Sequence, residues 1–147
     1  MLSKIQKFLS EHVVSKVEAQ RPEALHVATA ALLIEISRAD HQVSAAEHRA
    51  IREGLQQIFA ISEAQLDSII ELAAQQATES TCYYHFASTI NQTLDASAKL
   101  AIIDALWQVA AADGHLDHYE EYYLRKIADL LHVPHSDFIR SKHRVLA

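Results

Sequence analysis

Four carboxylates stand in this chain at a spacing that could do chemistry. Asp113-Gly114-His115-Leu116-Asp117-His118-Tyr119-Glu120 closes one strongly apolar stretch and opens the next helical pattern. A degenerate copy lies upstream, at Asp40-His41-Gln42-Val43-Ser44-Ala45-Ala46-Glu47. The two register without gaps: Asp113 over Asp40, Leu116 over Val43, Asp117 over Ser44, Glu120 over Glu47 and Leu124 over Ile51, each pair 73 residues apart. A constant offset of half the chain predicts an internal duplication. If the halves pack about a pseudo-twofold axis, Asp40, Glu47, Asp113 and Glu120 converge. Carboxylates gathered without enough cations suit a hard divalent ion.

A local explanation stands beside that one. Gly114 accommodates a left-handed turn after a helix, Leu116 staples the chain into the next helix, and Asp117 with Glu120 forms a helix-start cap, as Ser44 does with Glu47. This account leaves Asp40 and Asp113 unexplained, because an acid at the negative end of a helix is unfavourable unless something offsets it. The second segment also reads like the back half of an EF-hand loop. Its upstream ligand positions are Val109 and Ala111, so calcium binding in the EF-hand manner is not expected.

Ten histidines are many for 147 residues. His41 and His48 flank the first turn and His115 and His118 the second, where a transition metal could recruit imidazole, although no pair has an HExxH spacing. Glu23-Ala24-Leu25-His26 and Asp129-Leu130-Leu131-His132 approach the acid-x-x-His element of di-iron bundles. Asp104 and Glu35 sit in apolar helical stretches, where a rim position or a pairing with Arg38 or Lys99 is expected. No GxSxG, P-loop, GxGxxG or CxxC motif is present.

The elements that must position these residues are helical. Half the chain is hydrophobic, with two glycines and two prolines, a composition that predicts an all-α fold: a single domain over 1–147, built as one bundle of about eight helices. Apolar spacing places helices over about 2–17, 23–39, 44–59, 62–76, 82–92, 95–112, 117–131 and 134–145. The second and sixth are apolar nearly all round and belong at the centre. The second and third helices would then be equivalent to the sixth and seventh, in repeat halves of about 24–76 and 95–145, with the polar run 77–81 as the break between them.

A formal charge of −6 and a pI near 5.9 argue against a nucleic-acid partner. The basic cluster Arg140, Lys142, His143 and Arg144 reads as a helix end complementing its dipole. The lone Cys82 reads as a small core residue in a reducing compartment. The first helix lacks the pattern of a secretory signal. The most apolar stretch, 24–34, is too short to cross a bilayer, and the expected location is cytoplasmic.

One stretch resembles a known family. Val109-Ala110-Ala111-Ala112-Asp113-Gly114-His115-Leu116 with Glu120 and Glu121, then Leu124-Arg125-Lys126-Ile127-Ala128-Asp129-Leu130-Leu131 and Val133-Pro134-His135-Ser136-Asp137-Phe138-Ile139-Arg140, is similar to the TerB-like (tellurite resistance B) family. That module is also found in a membrane-bound DnaJ-type co-chaperone. The resemblance covers roughly residues 25 to 145 and implies a duplicated helical bundle with metal-sensing or scaffolding roles in bacterial stress responses. It also implies that the acidic turns, here Asp40, Glu47, Asp113 and Glu120, are the metal sites. No His-Pro-Asp tripeptide is present, so a J-domain role does not carry over. The expectation is a non-enzymatic binding module that works through protein partners and holds a divalent metal ion, without an organic cofactor or membrane insertion. Two rivals stay open: a metal-dependent enzyme of hydrolase or di-iron type, and a metal-free adaptor.

Overall fold

A computed structural model describes residues 22–37, 44–79 and 83–146. Seven α-helices and no strands occur among them: α1 (Pro22–Ser37), α2 (Ala45–Ile58), α3 (Glu63–Glu79), α4 (Tyr83–Thr93), α5 (Ala96–Ala110), α6 (His118–Leu130) and α7 (His135–Leu146). The helix expected over 2–17 lies outside the described residues, as do Arg38, Asp40, His41 and Cys82.

The helix starts follow from side chains that satisfy free backbone N–H groups. Ser44 and Glu47 form a full capping box, with both bonds at 3.1 Å. Ser62 and Gln65 form a second reciprocal pair, both bonds 3.3 Å. Asp95 accepts from the Ala98 N–H at 2.9 Å to begin α5. The end of α3 departs from expectation: the helix runs three residues past Gln76, through Ala77, Thr78 and Glu79. Ala77 is buried in the core, and no glycine or proline interrupts this run, so its polar composition alone does not stop the helix.

Burial decides the layout. Leu32, Leu33 and Ile36 of α1 and Ile102, Ile103, Leu106, Trp107 and Val109 of α5 are fully buried in one hydrophobic cluster, at about 1.5–3 kcal/mol of transfer free energy for each large side chain. Around this pair, α1 packs against α3, α4, α5, α2 and α6, while α5 packs against α2, α7, α1 and α6. Gly54 lies where α2 crosses α5, and a Cβ there would sit 3.1 Å from the Ala105 Cβ. The missing side chain lets the two helices approach closely.

At the C-terminus of α6 the Val133 N–H bonds to the Ala128 carbonyl at 2.9 Å and the His132 N–H to the Asp129 carbonyl at 3.1 Å. This is a Schellman turn, with Val133 buried over Ala128. It sets His132 at φ 60°, the only positive φ of a non-glycine residue among those described. A side chain in this left-handed region costs about 1 kcal/mol or more. We predict that His132→Gly raises unfolding stability by about 1 kcal/mol, measured as a higher urea midpoint with an unchanged slope. A lower midpoint would show that the imidazole makes a stabilising contact that outweighs the strain.

Candidate functional site

The acid-bearing turn between α5 and α6 is built from its own side chains. Ala111 ends α5, its N–H still bonded to the Trp107 carbonyl at 3.0 Å. Gly114 takes φ 87° and bonds its N–H to the Ala111 carbonyl at 3.0 Å. A Cβ at Gly114 would meet nothing within 4 Å, so the glycine serves backbone conformation rather than space. Asp113 is exposed and its Oδ1 accepts the His115 N–H at 3.0 Å. That bond offsets the unfavourable place of an acid after a helix C-terminus. Leu116 packs against the core from the turn. Asp117 caps α6 by accepting the Tyr119 N–H at 3.1 Å, whereas the expected arrangement joined it to Glu120.

The expected site residues divide sharply by burial. Glu47 and Glu120, one in the first turn of α2 and one in the first turn of α6, are only 2% and 1% exposed. Asp113 faces solvent, and Asp40 lies outside the described residues. Glu47 Oε1 is held by the Ser44 N–H. Among the described residues no group of three or more His, Cys, Asp or Glu side chains is placed to hold a metal ion, so Glu47, Asp113 and Glu120 do not form such a group by themselves. Their oxygen donors suit a hard divalent cation, but a cation here would need ligands beyond these three.

The other candidates have local roles. His48, His115 and His118 are exposed. Of the two acid-x-x-His elements, Glu23, Asp129 and His132 are exposed, and His26 lies against Phe59 with ring centroids 4.4 Å apart. These side chains do not converge in the bundle interior as di-iron ligands would. Asp104 does not pair with Lys99, and Arg38 lies outside the described residues. Asp104 Oδ1 accepts from the buried Ser141 hydroxyl and from the Arg144 guanidinium, the latter at 2.6 Å. Lys142 donates to Glu121 Oε1 at 2.7 Å and lies 5.6 Å from the centre of the Trp107 ring. The basic cluster at the end of the chain is therefore partly spent in tying α7 to α5 and α6. Sequence reasoning missed these pairs, which bring together residues 21 to 40 positions apart.

Two titrations are displaced by burial. His26, half-buried on Phe59, is held below the ordinary histidine range by desolvation, with Glu23 opposing in part. The Tyr83 phenol is pushed up to about 12, by burial first, then by the negative charge of Glu35 and the neighbouring Tyr123.

A family model described as tellurite resistance protein TerB matches residues 26–143. The match takes in both acid-bearing turns and extends from α1 into α7. Among curated proteins and among solved structures, nothing matches the chain. No helix among the described residues is long and apolar enough to cross a membrane.

The His26 shift predicts a pH dependence. Because its folded-state pKa lies below the unfolded value, its contribution is complete above roughly pH 6.5 and is lost as the pH falls through that value toward the folded one. The urea midpoint is expected to fall more steeply between about pH 7 and pH 5 in the native protein than in His26→Phe. Parallel curves for the two proteins would remove His26 as the source.

Proposed function

The chain belongs to the TerB family, and from that premise we propose that it is a non-catalytic binding module of a bacterial tellurite and metal stress response. It works by offering a rigid helical surface to protein partners. The observation that carries this reading is the family match across residues 26–143, which spans the packed bundle rather than a short motif. The geometry adds support. Asp113, Asp117, Ser44 and the Glu47 carboxylate are engaged in local capping and turn bonds, the use expected of residues that shape a scaffold.

The proposal includes an internal duplication. The packing of α1 on α3 and of α5 on α7, and the contact of α1 with α2 and of α5 with α6, support pairing the two halves. Glu47 and Glu120, 73 residues apart, then occupy equivalent positions in first turns. We predict that cells lacking this protein are inhibited at a lower potassium tellurite concentration than the parent strain, and that the full chain restores growth. Equal sensitivity would overturn the assignment to tellurite stress.

A second reading, a divalent cation at the acidic turns, is favoured by one observation. The family match takes in both acidic turns, and the carboxylates of Glu47 and Glu120 in the first turns of α2 and α6 are oxygen donors of the kind a hard divalent cation takes. In this reading Glu120 with Asp113 holds the ion, Glu47 with Asp40 being the corresponding pair of the other turn, and water completes the ligand set. At an ion concentration about a hundredfold above the dissociation constant, calcium, magnesium, manganese or zinc is expected to raise the melting temperature by roughly 5 °C or more. Glu120→Gln should abolish the increment. A flat response across all four ions would leave the metal-free adaptor.

A further inference from the structure

α7 is attached to the bundle differently from the other helices. The central α1 packs against every helix except α7, which lies on α5 and α6. Of the twelve residues of α7 only Phe138 and Ser141 are buried, with Ile139 and Val145 partly so. Phe138 covers Trp107, the ring centroids 4.9 Å apart. The rest of the attachment is polar. The Ser141 hydroxyl and the Arg144 guanidinium both donate to Asp104 Oδ1, and Lys142 donates to Glu121 Oε1. Beyond these ties the end of α7 stands off from α2, because Arg144 and Val145 border a cleft of about 370 Å³ with Gln57 and Ile58.

Three features make this closed position easy to leave. The Trp107 Nε1 is enclosed and makes no hydrogen bond among the described residues, and a buried donor without an acceptor carries a desolvation cost that hydration removes. The ion pairs reach solvent, with 50% of the Arg144 side chain and 30% of the Lys142 side chain exposed, so water replaces them at little cost. The link from α6 holds His132 at φ 60°, a backbone state that a residue with a Cβ gains by leaving. Against these stands one large buried side chain, Phe138. α1 and α5, by contrast, are each fixed by several fully buried side chains.

We propose that α7 is a releasable strap. It leaves as one unit about the link from Leu131 to Pro134 while α1 to α6 stay packed, and Asp104 is its latch, the one acid that receives two groups of α7. Opening lifts Phe138 and Lys142 from Trp107 and lets water reach the indole. It also leaves Asp104 and Glu121 without the cations that pair with them in the closed form. The face so displayed, an indole and two freed carboxylates, is hidden in the closed bundle, and the strap decides when it is presented. The open form keeps the core, because α1 loses none of the helices it packs against. The inference stands apart from the tellurite and metal readings above.

Native-state hydrogen exchange of the whole chain, followed by NMR, tests it. The backbone amides of α7 from Phe138 to Val145 are expected to exchange at one common rate, at least about tenfold faster than the slowest amides of α1. In urea, the fluorescence of Trp107, the chain's one tryptophan, is expected to change before the main loss of far-UV circular dichroism. Asp104→Ala removes both bonds at the latch and should move the fluorescence midpoint to lower urea. The circular dichroism midpoint should stay where it was, since the latch is already broken in the form that then unfolds. Lys142→Gln, which leaves Asp104 in place, is expected to separate the two midpoints in the same direction by a smaller amount. Amides of α7 as slow as those of α1, or exchange graded inward from Leu146 as in end fraying, would overturn the proposal. So would fluorescence and circular dichroism transitions that coincide in the native chain and in Lys142→Gln.

Discussion

Two helices that are apolar on nearly every side cannot face water, and this constraint organises the molecule. α1 and α5 contribute fully buried side chains along their lengths, and each is in contact with the other and with at least three further helices. The remaining elements are amphipathic, with one buried stripe apiece, and serve as cover. This division is what the hydrophobic effect predicts when central helices have no polar face to turn outward. It also fixes where the turns go. The loop leaving α5 emerges at the surface, so polar residues that shape it can keep contact with solvent.

The fate of each acid then depends on the side of its turn. Asp113 stands after the last turn of α5, where the helix end is negative, and persists there because it is exposed and accepts the His115 N–H. Glu47 and Glu120 stand in the first turns of α2 and α6, where the helix end is positive and a carboxylate is welcome. There they are buried under the covering layer. Acids that look alike in the sequence therefore sit in opposite dielectric surroundings.

Much of this was legible beforehand, for reasons that are local. The Ser44–Glu47 and Ser62–Gln65 boxes, the Asp95 cap and the left-handed Gly114 are short-range features whose chemistry is written within three or four residues. The central place of α1 and α5 follows from composition alone. What escaped has a different character. The extension of α3 to Glu79 depends on Ala77 finding the core, and the partner of Asp104 depends on α7 folding back across α5. The Schellman turn at His132 lacked its usual glycine and gave no sign. Asp117 was expected to act with Glu120, yet bonds to Tyr119, since a cap may close on either of the first free amides.

The cations of the C-terminal third show how the same residue type acquires different meaning. Arg144 and Lys142 read as a solvated helix end, but α7 lies against α5 and α6, so Arg144 closes on Asp104 and Lys142 settles between Glu121 and the Trp107 ring. These charges hold three helices together and are partly shielded. Arg125 and Lys126 are one helix earlier, on the face that α6 turns away from the core, with exposed tyrosines on either side of them in the helical register. Among the described residues neither has an ion pair, and exposed aromatic rings stand beside them. A charge satisfied inside the chain contributes to stability, whereas one left beside an exposed aromatic face is available for recognition. In this bundle that distinction is set by which side of α6 a residue occupies.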